Sequence, residues 1–571
     1  MSRANALVHL AAAVAMACTA TAAQAAITLD LGYVNTTSPA YARFKGFVDQ
    51  AVGGNPGYAF SATDAVYMYR LTGTVAYANL AIQMIETQVS EAEADIAANR
   101  NPEVAGDSYL YVGDMIGDLA LVYDWCGPLL APAQRTRWAT YAEQAVWNVW
   151  NHQQAKWGTR LAPWSGWSVD NPGNNYYYSF LEATMYWTFA SNSSTWRTFL
   201  QTQKIPPLTA YFATLPGGGS REGTGYGLSF GRLFGLYRFW RDNTNVNLAT
   251  QNTHLTDSID YWIHATVPTL DYLAPIGDQS RVSMPEMYDY HRKLVLEARA
   301  MTADAGARDR ASWWLGHISL PRMSSGFNFR YDMLPAGTSA QAPTALYYHA
   351  TGVGALFART DWSPDAMWFA FVAGPYTESH AHQDQGSFTL YAHDWLAVTE
   401  NVWTHSGIQQ GGDVHNVVRF VQGGNTVPQR EGTTSTMTVT PGANGVLDVS
   451  ANLTPSFDGS AAVTSWQRAL HFANRHLTVT DDFAVASGVQ AIFQVNTPVQ
   501  PVITGKTARA GNLLITVTAP ATATLTAVEW NPLDPTEFYS GWKLEVRGAG
   551  NRFVVDLAEA GGDLIFADGF Q

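Results

Sequence analysis

Three short runs in the second half of the chain bring together side chains that could hold a metal or move protons. Ser379-His380-Ala381-His382-Gln383-Asp384 carries two histidines spaced i, i+2, Glu400 follows, and His415-Asn416 supplies a third imidazole. Read on an extended segment, His380 and His382 point to the same side of a sheet. His382, Glu400 and His415 then form a His, Glu, His set that could bind zinc and leave one coordination position for water or substrate. Without a metal, the same histidines read as surface or hydrogen-bonded residues of a β domain.

The polar runs of the first half are of another kind. Asn171-Pro172-Gly173-Asn174-Asn175-Tyr176 opens a helix expected to run through Leu181 and Met185, with Asn174 placed to cap it. Gly217-Gly218-Gly219-Ser220-Arg221-Glu222-Gly223-Thr224-Gly225-Tyr226 sets a tyrosine behind a glycine-rich backbone, which lets a side chain come close to a bound ligand. Pro275-Ile276-Gly277-Asp278-Gln279-Ser280-Arg281 is a third polar loop, where Arg281 could hold an acidic group or pair with Asp278. Trp147, Trp150, Trp157, Trp164 and Trp167 precede the asparagines; such rings stack on sugar faces or fill a core.

The elements that must position these residues change character midway. From about Ser38 to Ile318 apolar residues recur at helical spacing, as in Ala62, Val66, Tyr69 and again in Met115, Leu119, Val122. Gly73, Gly127-Pro128 and Pro132 punctuate the segments, which predicts antiparallel helical hairpins, one of them turning at Gly127-Pro128. From about Ala345 short alternating runs take over, including Phe388–Tyr391, Thr438–Thr440, Leu477–Thr480 and Leu514–Val517, and these predict antiparallel sheets. Pro321 to Pro343 reads as the linker.

Composition narrows the classes. The 571 residues carry 33 Lys plus Arg against 47 Asp plus Glu, a formal charge of −14, which argues against non-specific nucleic-acid binding. Aromatics make up 13%, too many for a disordered chain. Arg3, the apolar run Leu7 to Ala17 and Ala23-Gln24-Ala25 read as a secretory signal over 1–25, implying a secreted or periplasmic protein without a membrane anchor. Its removal takes Cys18 and leaves Cys126 alone, so no internal disulfide is expected.

The run Leu356-Phe357-Ala358-Arg359-Thr360-Asp361-Trp362, Gly374-Pro375, the His380 to Phe388 stretch and His415-Asn416-Val417 resemble the heparinase II/III-like polysaccharide lyases. The resemblance implies an α+β multidomain chain: an incomplete (α/α) toroid of helical hairpins over 26–335, then an antiparallel β-sandwich domain over 336–571, with the site between them. It also implies that His380 faces the substrate, that His382 and His415 hold a structural zinc together with an acid, here Glu400, and that Asn175 and Tyr226 join His380 in catalysis. Tyr176 stands where a histidine is frequent in that superfamily. With Glu222 and Arg281, it is expected on the substrate. The reaction would be β-elimination on a uronic-acid polymer of the alginate or glycosaminoglycan type: a base takes the C5 proton, an amide donor stabilises the charge developing on the carboxyl group, and an acid protonates the C4 oxygen. Two other readings predict different products. A metal-dependent glycan hydrolase would release saturated ends, and a non-catalytic glycan-binding protein would leave the polymer at its original length.

Overall fold

The computed structural model of the chain describes residues 27–278, 283–318, 326–400, 411–533, 535, 538 and 540–560. The signal-like segment 1–25, Arg281 and the tail from Gly561 lie outside the described residues.

The helical half begins with α1 (Pro39–Val52), α2 (Ala62–Thr72), α3 (Val75–Ala97), α4 (Val112–Trp125), α5 (Pro132–Trp150) and α6 (Asn175–Ala190). It continues with α7 (Ser194–Phe199), α8 (Ile205–Ala213), α9 (Gly223–Tyr226), α10 (Phe230–Thr244), α11 (His254–Ala265), α12 (Arg292–Met301) and α13 (Ala305–His317). Local chemistry sets their ends. The Ser38 hydroxyl accepts from the Tyr41 N–H, with Pro39 in the first turn of α1. Ser61 and Asp64 form a capping box on α2, and Gly73 closes that helix with φ +72. A 3₁₀ turn at Gly127–Leu129 joins α4 to α5, as expected from the Gly-Pro pair. Neighbours pack on one another, α2 on α3, α4 on α5 and α6, and α12 on α10 and α13, building the incomplete toroid. Cys126 is a free thiol in this core, and burial pushes its pKa up to about 12.

The strand half contains three principal sheets, all antiparallel. The first comprises Tyr347–Ala350, Ala355–Arg359, Trp368–Val372, Phe388–Ala392 and Asp394–Ala397. Its three middle strands are buried at every position. The reason is that both faces are covered: Phe357, Trp368 and Tyr391 join the core of the helical half, while Leu356, Phe369, Phe371 and Leu390 join the core beneath the larger sheets. An eight-stranded sheet runs in space from Thr436–Pro441 through Leu447–Asn452, Val463–Ala473 and His476–Val485 to Arg552–Glu559 and beyond. Its strands alternate buried and exposed residues, as the sequence predicted. A further five-stranded sheet includes Val418–Gln422, Val489–Thr497 and Trp542–Arg547.

Two buried arginines connect the layers. Arg359 donates from Nη2 to the carbonyls of Thr266 (2.8 Å) and His264 (3.3 Å), covering the end of α11, and lies 3.7 Å from the Trp362 ring centroid. The stretch expected to be a linker also packs against the helices. Arg330 Nη1 reaches Asp64 at 2.8 Å, and Asp332 pairs with Arg43 and Arg292, so its described part is a strap of ion pairs on the helical half. In the strand half Arg468 and Asp481, both fully buried, form a two-pronged pair at 2.8 and 2.9 Å. The remaining donors of Arg468 reach the carbonyls of Gly386 (2.5 Å) and Asn416 (2.8 Å), close to His382 and His415 in the chain.

Removing one partner of such a pair strands the other as a buried charge. Asp481→Ala is therefore expected to lower the unfolding free energy by about 3–5 kcal/mol in urea titrations. A loss under about 1 kcal/mol would show that Arg468 finds another partner.

Candidate active site

Three loops meet where the helical and strand halves touch, and glycine makes the approach possible. Gly223 has φ +86, and a Cβ there would overlap the Ile276 carbonyl. Gly277 has φ +66, and a Cβ there would lie 2.6 Å from the Glu222 carbonyl oxygen and 2.9 Å from that of His380. The backbones bond directly: Thr224 N–H to Ile276 O at 2.8 Å, and Asp278 N–H to His380 O at 2.9 Å. The third loop, 378–387, is fastened within the strand half. Gln385 N–H donates to Gln429 Oε1 and Gln429 Nε2 donates back to Gln385 O, each at 2.9 Å, while Gln383 Oε1 accepts from the Gln429 N–H.

On this frame the Asp278 carboxylate lies between two histidines. Oδ2 is 3.0 Å from His380 Nδ1, and Oδ1 is 2.9 Å from His382 Nε2. The Tyr226 ring stacks on His380 with centroids 3.6 Å apart and planes 7° from parallel. Beyond the other nitrogen, Glu222 Oε1 is 3.9 Å from His380 Nε2. Glu222 is 1% exposed and takes hydrogen bonds from Asn174 Nδ2 (2.8 Å) and the Asn175 N–H. Burial, reinforced by the nearby Glu378 charge, raises its pKa well above the usual carboxylate range.

Asn174 caps α6 as expected, its Oδ1 accepting from the Tyr176 N–H at 3.1 Å, while its amide NH₂ holds Glu222. Asn175 begins the helix with its buried Oδ1 lacking a hydrogen-bond partner. Rotating that amide by half a turn presents its NH₂ instead, so the group can serve an acceptor or a donor. Tyr176 donates to Asp107 Oδ1 at 2.9 Å, and burial followed by this bond raises its pKa. Asp107, Ser108 and Tyr109 all have positive φ, from 42 to 64°, a strained turn that fixes the tyrosine's partner.

The structure thus brings Asn175, Tyr226 and His380 to one place and corrects several expectations. His380 and His382 lie on a loop, not a strand, and converge because both face Asp278. Glu222, expected on the substrate, is buried and bonded to the asparagines of α6. His382 and His415 are adjacent, with ring centroids 5.1 Å apart, but Glu400 accepts from the Ser283 hydroxyl at 2.7 Å. Burial raises the Glu400 pKa to about 7. Among the described residues no three His, Cys, Asp or Glu side chains gather as a metal-binding group. The set of His382, Glu400 and His415 stays an expectation of the resemblance, and no step below runs through a metal. Trp157 is buried, Trp150 and Trp164 bond within the helical half, Trp147 packs against its core, and Trp167 is 47% exposed. The sequence alone offers Asp278 only as a possible partner of Arg281. The signal for its role was the pair of histidines itself, since buried imidazoles close together require an acceptor.

No family model and no curated protein matches the sequence. Solved structures do match its fold. Heparinase III is similar at 13% identity and a TM-score of 0.60, over 95% of this chain and 89% of that one. Heparan sulfate lyase HepC from Pedobacter heparinus is similar at 14% identity and 0.54, over 92% and 84%. The Streptomyces coelicolor A3 chondroitin AC lyase, solved with chondroitin sulphate, is similar at 10% identity and 0.56, over 93% and 81%. The chain has the heparinase-like polysaccharide lyase fold.

Glu222 generates a pH prediction. Its folded-state pKa is raised above the ordinary value of 4.5, so the folded protein holds this proton more tightly than the unfolded chain. Stability from this group falls as pH rises above about 4.5 through the folded pKa. Glu222→Gln keeps the acceptor for Asn174 and removes the ionisation. Its melting temperature is expected to exceed that of the wild type at neutral and alkaline pH and to converge with it below 4.5. A parallel pH dependence in both proteins would contradict the assignment.

Proposed function

We propose that this protein is a secreted or periplasmic lyase that cleaves a uronic-acid-containing polysaccharide, of the alginate or glycosaminoglycan type, by β-elimination. The observation that carries the reading is the stacked Tyr226–His380 pair beside the α6 asparagines, on a fold otherwise seen in glycosaminoglycan lyases.

The chemistry follows from what a uronate requires. Its C5 hydrogen is weakly acidic because the electron pair left behind spreads into the adjacent carboxyl group. Stabilising that developing charge is the main task, and the Asn175 amide supplies a neutral donor that needs no proton transfer of its own. Tyr226 and His380, face to face, take the C5 proton and protonate the departing C4 oxygen. The product carries a double bond between C4 and C5. Glu222 stays behind the asparagines and holds them in place. No helix among the described residues is long and apolar enough to cross a membrane.

The test is a screen of alginate, hyaluronan, chondroitin and heparan-type chains for the ultraviolet absorbance of unsaturated uronate ends. On the polymer selected, Tyr226→Phe is expected to lower turnover by about 100- to 10,000-fold while the protein stays folded and still binds. Asn175→Ala should act mainly on kcat, because the charge it meets is greatest in the transition state. Shortening of a polymer with only saturated ends would favour hydrolysis, and binding without shortening would favour a glycan-binding protein.

A further inference from the structure

A carboxylate offers only acceptors, so a histidine nitrogen that faces one at hydrogen-bond distance must carry the hydrogen. Asp278 meets His380 at Nδ1 and His382 at Nε2, one oxygen for each. The two rings are therefore held in opposite tautomers. Neutral His380 has its hydrogen on Nδ1 and its lone pair on Nε2, the nitrogen that lies 3.9 Å from Glu222 Oε1. His382 has the reverse, with its buried Nδ1 left without a hydrogen-bond partner.

The grip on His380 has a second point. The Asp278 N–H binds the His380 carbonyl at 2.9 Å, so main chain and side chain of one residue hold main chain and side chain of the other. Tyr226 covers the ring face. With one edge anchored and one face covered, the imidazole cannot flip to exchange its nitrogens.

We infer that Asp278 is a positioning residue that fixes His380 in the Nδ1–H tautomer and so presents the Nε2 lone pair to the substrate. It acts through His380 without touching substrate. The carboxylate is needed because an amide of the same shape accepts at only one of its two positions. Asparagine at this site must turn its NH₂ toward one of the histidines. If it turns toward His380, the ring must accept at Nδ1 and move its hydrogen to Nε2, which removes the lone pair from the catalytic side.

The kinetic arm of the test rests on the lyase reading above, and the spectroscopic arm does not. In protein labelled with ¹⁵N-histidine, the His380 signals, assigned by their loss in His380→Gln, are expected to show Nδ1–H in the wild type and Nε2–H in Asp278→Asn. On a cleaved polymer, Asp278→Asn is expected to lower kcat by about 100- to 10,000-fold with KM changed by less than about threefold. A merely structural role would instead lower thermal stability and leave the tautomer of the folded fraction unchanged. A wild-type His380 carrying its hydrogen on Nε2, or turnover within about threefold of wild type in Asp278→Asn protein whose His380 has moved its hydrogen to Nε2, overturns the inference. Should Asp278→Asn fail to fold, the wild-type spectrum alone decides. If no uronic polymer is cleaved, the lyase reading falls while the spectra still decide the role of Asp278.

Discussion

Asp278 gives one oxygen to His380 and the other to His382 while its own N–H meets the His380 carbonyl, and the rest of the structure serves to bring that loop to those histidines. A buried carboxylate without donors would cost several kcal/mol, and charge-assisted hydrogen bonds are worth about 1.5–3 kcal/mol each. The loop that carries it comes from the helical half and the histidines come from the strand half. The site therefore exists only when the halves are docked, and the same hydrogen bonds that shape it help to dock them.

Docking relies on a sheet with no exposed face in its middle strands. One side of the first sheet completes the helical core with Phe357 and Trp368, and the other completes the strand core with Leu356 and Phe369. Arg359 seals the contact by taking the last carbonyls of α11, and Trp368 Nε1 adds a bond to the His264 carbonyl at 2.9 Å. Arg468 does the corresponding work one layer further out, where its buried pair with Asp481 leaves a donor for Gly386 and Asn416. The run from Leu356 to Trp362 thus has a physical role: it belongs to the layer on which the two halves dock.

Much of this was legible in the sequence where periodicity or local chemistry carries the signal. The helical hairpin at Gly127-Pro128, the cap at Asn174 and the strands around Val439, Val479 and Ile515 follow from spacing and turn residues alone. That His380, Tyr226 and Asn175 should meet was expected only through the resemblance to the lyase superfamily, because residue type and order alone do not single them out. What was hidden depends on contacts between distant segments. Asp278 lies 102 residues before His380, and nothing in its own neighbourhood distinguishes it from a solvated loop acid. Glu222 and Asn174 looked like independent polar residues until the fold put them 2.8 Å apart. Ion pairs of Arg330 and Asp332 turned an aperiodic stretch into a packed strap, because charge pairing leaves no periodic trace.

The glycine contacts beneath the site bear on how such a protein can diverge. At Gly223 and Gly277 main chain rests against main chain, with Glu222, Ile276 and His380 supplying carbonyl oxygens where a side chain would otherwise stand. A contact made of backbone cannot be retuned by exchanging one residue for another of similar size. Adaptation to a new polymer has to proceed elsewhere, for instance at the exposed Trp167 on the loop that leads into the asparagines. The reacting groups then form a socket that drift leaves alone while its rim is free to vary. A descendant could change what it grips long before it changed how it cuts.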